Sequence, residues 1–276
     1  MSVILSISSQ VVRGHVGNSA ILHGLRAFGH EVWPLPTVVL SNHPGHGSAA
    51  GAAIDPTDLE AMIGQLERQG WLSDCDAVLT GYFRSAAQCQ VAANLIRDLK
   101  DANPNLIYCC DPVLGDDPGG LYVDAVIAKA VRDLLMPLAD LATPNRFELA
   151  WLTGAKVGNA TQAVTASRRL KVTDVVATSI PDENAMLATV WTDPGDAVKA
   201  TVPVRGTAQH GIGDLMASLV LARKLAGDTP RAAVGLATAI CEQVLDESIG
   251  RDELNLIAGL SGLDEVTPKD VVRAGA

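Results

Sequence analysis

The sequence predicts an α/β protein of three layers (α/β/α), in which helices cover both faces of a mostly parallel central sheet. Short apolar runs alternate from end to end with stretches whose apolar residues recur at helical spacing. Parallel strands need helical crossovers, so this alternation is typical of a parallel sheet that is buried on both faces. No linker, low-complexity tract or block of charge divides the chain, so we expect residues 1–276 to form a single domain.

The first half of the chain alternates strictly between the two patterns. Apolar runs predict strands at 3–7, 32–40, 77–80, 106–110 and 139–142. Pro34 and Pro36 lack backbone donors and should make the second of these an edge or bent strand. Asn18 is placed to cap the first helix, which Gly29 ends, and Pro56 stands at the first position of the second. Two further helices are predicted at 85–100 and 123–135.

The second half ends in helices. A helix is predicted from Asn145 to Gly154 and another at 161–170, followed by a strand that ends at Thr178. Residues 187–191 and 199–204 flank the turn Asp193-Pro194-Gly195 and should pair antiparallel. The last predicted helices cover 213–225 and 231–248.

Composition narrows the function classes. The chain has 31 acidic and 21 basic residues and a net charge of −10, which argues against nucleic acid as the main partner. It leaves room for a small anionic ligand in a local pocket. No apolar run approaches the roughly 18 residues of a membrane span, and no signal segment is visible. The five cysteines form no CxxC pair, which favours reduced thiols and a cytoplasmic protein.

The segment His210-Gly211-Ile212-Gly213-Asp214 stands directly before an apolar helix. Its two glycines allow a tight turn whose backbone N–H groups, with the helix dipole, can bind an anion. Asp214 in the first turn would be repelled by phosphate, but it can accept a proton from a hydroxyl that attacks phosphorus. The alternative interpretation is a plain turn in which Asp214 caps the helix.

Two further segments carry candidate nucleotide and metal residues. Asp111 follows a buried strand, where it could hold Mg²⁺ through water or shape a phosphate site. Asn145 and Glu148 are three residues apart at a helix start, so they share a face and could position hydrated Mg²⁺. The alternatives are an Asp-Pro turn for the first segment and a capping box for the second.

Together these motifs resemble the ribokinase-like superfamily and, within it, the pyridoxal (vitamin B6) kinases. The resemblance also includes residues 8–18, Ser41-Asn42-His43, Gly81-Tyr82 and residues 120–123, in the family's order. It covers essentially the whole chain. In one departure, Pro44-Gly45-His46-Gly47 replaces longer polar side chains of some relatives.

The resemblance implies an enzyme that uses ATP to phosphorylate the 5′-hydroxymethyl group of pyridoxal, and of pyridoxine and pyridoxamine as well. It implies that Asp214 is the catalytic base and that Gly211, Ile212 and Gly213 form the anion hole. The residues it assigns to ATP and metal are Asp111, Asn145, Glu148 and Thr178. Those it assigns to the B6 substrate are Ser9, His43, Gly45, Tyr82 and Asp214. It further implies Mg²⁺ held mainly through ATP and water, room for a monovalent cation such as K⁺, and a homodimer.

Two rival functions stay open at this point. A kinase of another hydroxymethyl heterocycle, such as hydroxymethylpyrimidine, would use the same superfamily motifs, although Asn42-His43 and Tyr82 favour the B6 ring. A non-catalytic protein that binds pyridoxal phosphate would gain nothing from a base at Asp214. A dinucleotide-binding dehydrogenase is disfavoured because GxGxxG does not follow the first strand.

Overall fold

The structure is a computed structural model that describes residues 1–205 and 209–275. In these residues it contains twelve strands, which are β1 (Val3–Val11), β2 (Glu31–Leu40), β3 (Gly51–Ala53), β4 (Ala77–Thr80), β5 (Ile107–Cys110), β6 (Gly115–Asp116), β7 (Gly120–Leu121), β8 (Leu141–Ala142), β9 (Asp174–Asp182), β10 (Met186–Thr192), β11 (Ala197–Pro203) and β12 (Val271–Arg273).

The same residues form nine α-helices, which are α1 (Asn18–Ala27), α2 (Pro56–Arg68), α3 (Ala86–Ala102), α4 (Ala125–Ala130), α5 (Arg146–Thr153), α6 (Ala160–Ser167), α7 (Ile212–Leu225), α8 (Pro230–Glu247) and α9 (Leu256–Gly259). Short 3₁₀ turns and one π-helical turn at Val131–Leu135 complete the helical segments of the described residues.

Ten strands form one sheet in the order β12-β11-β10-β9-β8-β5-β4-β1-β2-β3, and β6 pairs with β7 in a separate hairpin. The six central strands, which are β9, β8, β5, β4, β1 and β2, are parallel to one another. The outer strands β3, β10, β11 and β12 run antiparallel to their neighbours. The central sheet is therefore mostly parallel, as the sequence predicts.

Side chains of successive strand residues point to opposite faces, and this alternation builds two cores. Ile4, Leu79 and Cys109 join a core formed with α1, α7 and α8. Leu5 and Val78 join a core on the opposite face, formed with α2, α3 and α4. A third cluster lies under α5 and α6 against β9 and β10. The three-layer prediction is confirmed.

Several local predictions need correction. Gly17, with a φ of 54°, is the N-cap of α1, not Asn18. The buried Asn18 side chain instead accepts from Ser6 Oγ at 2.7 Å and donates to the carbonyl of Ser8. The sequence also missed β3, β12 and the β6–β7 hairpin, because strands of two or three residues leave too few positions for a pattern.

The two prolines of β2 have the predicted effect. Pro34 and Pro36 pair with β1 on one side, while β3 covers only Val38–Leu40 on the other. The outer side of the proline-containing part is thus a sheet edge. No helix of the described residues is long and apolar enough to cross a membrane.

Candidate active site

The predicted site residues lie at or near the end of the sheet at which the parallel strands have their carboxyl ends. Ser9 belongs to the last part of β1, Asp111 directly follows β5, and Thr143 directly follows β8. Helix α7 packs against α1 and brings Asp214 in its first turn. In open α/β sheets this edge forms the ligand crevice.

Asp111 is a buried carboxyl group, only 6% exposed. Thr143 Oγ1 donates a hydrogen bond to its Oδ1 at 2.8 Å. Burial raises the pKa of Asp111 well above its ordinary value, and the nearby charges of Glu148 and Asp214 raise it further. The three acidic groups therefore share one electrostatic environment at this edge.

Glu148 and Asn145 form a reciprocal capping box at the start of α5. The backbone N–H of Asn145 donates to Glu148 Oε2 at 2.9 Å, and the Asn145 side chain accepts from the Glu148 amide at 3.0 Å. Glu148 Oε1 also accepts from the amide of Leu114 at 2.9 Å, and Asn145 Nδ2 donates to the carbonyl of Gly115. The capping interpretation is thus correct, and the box also fixes the loop that follows Asp111.

Burial raises the pKa of Glu148 to about 8, although the amides of Leu114, Asn145 and Gly115 act in the opposite direction. A carboxylate has about four lone-pair positions, so these three amides leave little capacity for a direct metal bond. With a pKa of about 8, Glu148 is mostly protonated at pH 7, so it would act on a cation through water, after the cation's charge has favoured loss of that proton.

Thr178 lies next to Asn145, but not at a strand end as predicted. Strand β9 continues to Asp182, and Thr178 sits within it, with Ser179 in the left-handed region at a φ of 56°. The Thr178 amide donates to the carbonyl of Pro144 at 3.0 Å, and Thr178 forms a parallel bridge with Asn145. The strand extends because β10 continues to pair with β9 beyond the end of β8.

The start of α7 has the backbone shape of an anion site. Gly211 is its N-cap with a φ of 95°, and a Cβ there would lie 1.7 Å from the carbonyl oxygen of His15. A Cβ on Gly213, in contrast, would meet no atom within 4 Å outside its chain neighbours and the backbone of its own helix. The amides of Ile212, Gly213 and Asp214 belong to the first turn, where N–H groups have no partner within the helix. Open space therefore borders the positive end of α7.

Asp214 lies in that first turn and is partly exposed. Burial raises the pKa of its carboxyl group to about 6, while the backbone amides of Gly17 and of Asp214 itself limit the rise. At pH 7 most of the population is ionised. The group can accept a proton, with a pKa close to the operating pH, as a general base requires.

The charge of Glu148 acts to raise the pKa of Asp111, and a cation bound beside the two carboxyl groups would offset this repulsion. Hard oxygen donors of this kind fit Mg²⁺. Within residues 1–205 and 209–275, no group of three or more His, Cys, Asp or Glu residues is arranged to hold a metal by itself. A cation here would share its ligands with phosphate oxygens and water.

Of the residues that the resemblance assigns to the B6 substrate, Ser9 and Tyr82 lie close to the end of β1. The Tyr82 amide donates to Ser8 Oγ at 3.2 Å, and Ser9 packs against Gly17, where a Cβ would lie 2.2 Å from Ser9 Oγ. Burial raises the pKa of the Tyr82 phenol. The structure thus brings Ser9 and Tyr82 to the same strand end as the start of α1.

Residues 41–47, hereafter the acceptor loop, carry His43 and Gly45. The Gly45 amide donates to His43 Nδ1 at 3.1 Å. The His43 ring packs on His210, with 3.9 Å between ring centroids, and a Cβ on Gly45 would lie 2.4 Å from His210 Nε2. Burial and the two neighbouring histidines lower the pKa of His43 to about 4, so it is neutral at pH 7.

These contacts place His43 and Gly45 against the segment before α7. In the described part of the chain no hydrogen bond joins His43 to Ser9 or Tyr82. Sequence reasoning gave His210 no role of its own. Its position beside two acceptor-loop residues follows from a contact between distant segments, which no local pattern reveals.

Tyr122 lies within electrostatic range of the three acidic groups, and sequence reasoning assigned it no role. It follows the β6–β7 hairpin, and its amide donates to the carbonyl of Leu114 at 3.0 Å. Desolvation of the phenol and the charges of Glu148, Asp111 and Asp214 raise its pKa, although 54% of the residue as a whole is exposed. The only available signal was its place in the motif Gly120-Leu121-Tyr122-Val123.

Comparisons with known proteins identify the family to which this chain belongs. Residues 37–256 match the family described as phosphomethylpyrimidine kinase. The chain is 35% identical over 271 residues to pyridoxal kinase PdxY of Burkholderia mallei, covering 94% of this chain and 93% of that protein. The chain belongs to the pyridoxal kinase family.

Other pyridoxal kinases extend the similarity. The pyridoxine/pyridoxal/pyridoxamine kinase of Bordetella avium is 36% identical over 250 residues, which covers 88% of this chain and 84% of that protein. The structure of pyridoxal kinase from Leishmania donovani in complex with ADP and pyridoxamine superposes with a TM-score of 0.91 at 27% identity, covering 99% of both chains. The expected ribokinase-like fold and the kinase class are confirmed.

Proposed function

We propose that this kinase transfers the γ-phosphoryl group of ATP to the 5′-hydroxymethyl oxygen of pyridoxal, pyridoxine and pyridoxamine. With pyridoxal the products are pyridoxal 5′-phosphate and ADP. The observation that carries the proposal is the ionisable Asp214 carboxyl group beside the open amino end of α7. The names of the relatives, which include a pyridoxine/pyridoxal/pyridoxamine kinase, support the choice of acceptor.

In the proposed reaction the 5′-oxygen of the substrate attacks the γ-phosphorus, and Asp214 accepts the proton of that hydroxyl group. The bond from phosphorus to the bridging oxygen breaks, and ADP leaves with the electron pair. The amides of the first turn of α7, at Ile212 and Gly213, donate to the oxygens of the transferring group. Phosphoryl transfer depends mostly on positioning and charge stabilisation, which these groups supply.

On the nucleotide side, the capping box of Asn145 and Glu148 holds the loop after Asp111 in place, and Thr178 borders it. We assign these residues to ATP and its cation. Mg²⁺, when bound near Asp111 and Glu148, would neutralise phosphate charge. A monovalent cation such as K⁺, a homodimer, a cytoplasmic location and a single domain over residues 1–276 remain predictions.

Hydroxymethylpyrimidine phosphorylation is the second candidate, because the matching family is described as phosphomethylpyrimidine kinase. Its acceptor also carries a hydroxymethyl group on a nitrogen heterocycle, so the same base would serve. A non-catalytic role in binding pyridoxal phosphate is disfavoured, since the charge of Asp214 would repel the phosphate of the bound molecule.

The test is ATP turnover by the purified protein with pyridoxal, pyridoxine, pyridoxamine and hydroxymethylpyrimidine in parallel. We expect the three vitamers to react with kcat/KM values within about tenfold of each other, because one missing hydrogen bond is worth about 1 kcal/mol. Turnover of hydroxymethylpyrimidine with none of the vitamers would select the second candidate. Binding of pyridoxal phosphate without any turnover would select the non-catalytic role.

A further inference from the structure

Glu253, in the segment between α8 and α9, connects three parts of the chain around the start of α7. Its side chain is only 13% exposed. Its carboxylate can only accept, so Nε2 of His46 donates to Oε1, at 2.8 Å. The backbone N–H of His15 donates to Oε2 at 3.3 Å. Gly14 leaves room for the carboxyl group, since a Cβ there would lie 2.4 Å from Oε1.

The contact with His46 holds the acceptor loop from one side, and a second contact holds it from the other. His43 packs on His210, and Gly45 lies against the same ring. The acceptor loop is therefore fixed between the segment that precedes α7 and the segment that follows α8. The two segments meet at Gly211 and Leu254. Gly211 belongs to the segment before α7, and it lies against Leu254 of the segment after α8 and against the carbonyl group of His15.

We propose that Glu253 is a positioning residue that holds the acceptor loop at the active site through His46. This inference rests on the proposed function, because it takes residues 41–47 to contact the B6 substrate. Glu253 does not touch the reacting atoms. It acts by fixing the relative placement of the acceptor loop and of residues 14–17, whose Gly17 amide in turn faces Asp214.

A carboxylate is the group this position requires. It accepts from His46 and from the His15 amide with different oxygens, and Arg13 lies 3.9 Å from Oε1. An amide side chain offers one acceptor oxygen for the His15 amide and would place its N–H₂ group against the Nε2 donor of His46. Glu253→Gln can therefore keep both contacts only if His46 changes to the tautomer whose Nε2 accepts.

The experiment compares His46→Ala, Glu253→Ala and the double variant with the wild type, in the full chain. For His46→Ala we expect the KM for pyridoxal to rise about tenfold, since a hydrogen bond to a charged group is stronger than a neutral one. The kcat and the KM for ATP should stay within about twofold of wild type. The double variant should be no worse than Glu253→Ala, because both remove the same link.

Two variants serve as comparisons. Asp252→Asn removes the neighbouring carboxylate, whose partner is the exposed Arg13, and should leave every constant unchanged. His46→Gln retains an N–H donor and should recover part of the pyridoxal KM. If Glu253→Ala fails to fold, His46→Ala still tests the link, since the His46 side chain contributes no buried core contact.

Hydrogen–deuterium exchange of the substrate-free protein gives a readout that does not depend on activity. We expect faster exchange in residues 41–47 for His46→Ala and Glu253→Ala than for Asp252→Asn. Unchanged exchange, additive effects in the double variant, or equal rises in the KM for ATP and pyridoxal would each overturn the inference. Failure of the proposed function would look different, since the wild type itself would then phosphorylate no vitamer.

Discussion

The proposed nucleotide side of the site and the proposed acceptor side are assembled in different ways. We assign Asp111, Asn145, Glu148 and Thr178 to the first, and Ser9, the acceptor loop and Tyr82 to the second. Asn145 and Glu148 are three residues apart and fold together as one capping box. His46 and Glu253 are separated by 207 positions and meet only in the complete fold. The capping box of Asn145 and Glu148 is thus locally encoded, whereas the placement of residues 41–47 depends on long-range packing.

The two sides of the site differ in how freely their residues can change without loss of local structure. The nucleotide side, built on a capping box and buried acids, has little freedom to vary without loss of α5. The acceptor side contains a loop whose tip is held by single side-chain contacts from other segments. We therefore expect changes on the nucleotide side to affect turnover and cation use, and changes on the acceptor side to affect KM for the acceptor.

The largest effect should come from Asp214, where the two sides meet. Asp214→Asn keeps the shape and one acceptor oxygen but cannot take a proton. We expect kcat to fall about 10²- to 10⁴-fold, the usual cost of losing a general base, with the dissociation constant for ATP near normal. Steady-state kinetics and calorimetric ATP titration measure the two quantities. A variant that keeps more than half of the wild-type kcat would rule out this role.

The next largest effect should come from Gly213→Val. A Cβ at Gly213 meets no protein atom, so the variant should fold with a normal Tm, yet its side chain would enter the space proposed for the phosphoryl group. We expect about a 10²-fold loss of kcat, similar to the loss of one oxyanion donor.

Gly211→Ala is the matched control for Gly213→Val. Its Cβ would collide with the carbonyl oxygen of His15, and its φ of 95° disfavours any side chain. We expect a lower Tm for Gly211→Ala and a normal one for Gly213→Val. Normal turnover by a folded Gly213→Val protein would show that the start of α7 does not bind the phosphoryl group.

A smaller effect is expected on the nucleotide side from Glu148. Both Glu148→Ala and Glu148→Gln remove the carboxyl group that can ionise when a cation binds beside it, while Gln retains an acceptor for the capping box. We expect each to raise the Mg²⁺ concentration for half-maximal activity about tenfold, which corresponds to about 1.4 kcal/mol. Activity against Mg²⁺ concentration, with Tm as the folding control, measures this. Superimposable Mg²⁺ curves would restrict Glu148 to helix capping.

The smallest effect is expected on the acceptor side from Ser9→Ala. Loss of one neutral hydrogen bond, about 1 kcal/mol, should raise the KM for all three vitamers about fivefold and leave the KM for ATP unchanged. Ser73→Ala, an exposed serine in the turn before β4, is the control. An effect of Ser9→Ala that is confined to ATP would place Ser9 on the wrong side of the site.

The comparison of the two sides also explains what the sequence could predict. The fold, the capping box and the turn before α7 depend on neighbouring residues or on a pattern that repeats along the chain. The wrong cap at Asn18 has a tertiary cause, because Ser6 and Ser8 engage its side chain. The wrong strand end at Thr178 has another, because β10 supports β9 beyond β8.

The residues that the sequence could not place are those whose partners are remote. His210 and Glu253 hold the acceptor loop, yet each is an ordinary polar residue in its local context. Tyr122 likewise comes within electrostatic range of Glu148, Asp111 and Asp214 only once the β6–β7 hairpin has formed. Local patterns carry no information on such contacts.

The most direct test of the central claim is a competition for limiting ATP. Pyridoxal and hydroxymethylpyrimidine are supplied at equal concentration, and the two phosphorylated products are separated and quantified. Their initial ratio equals the ratio of the two kcat/KM values. The account predicts that pyridoxal 5′-phosphate is the main product, with phosphorus on the 5′-oxygen. Phosphorylated hydroxymethylpyrimidine as the main product would contradict it.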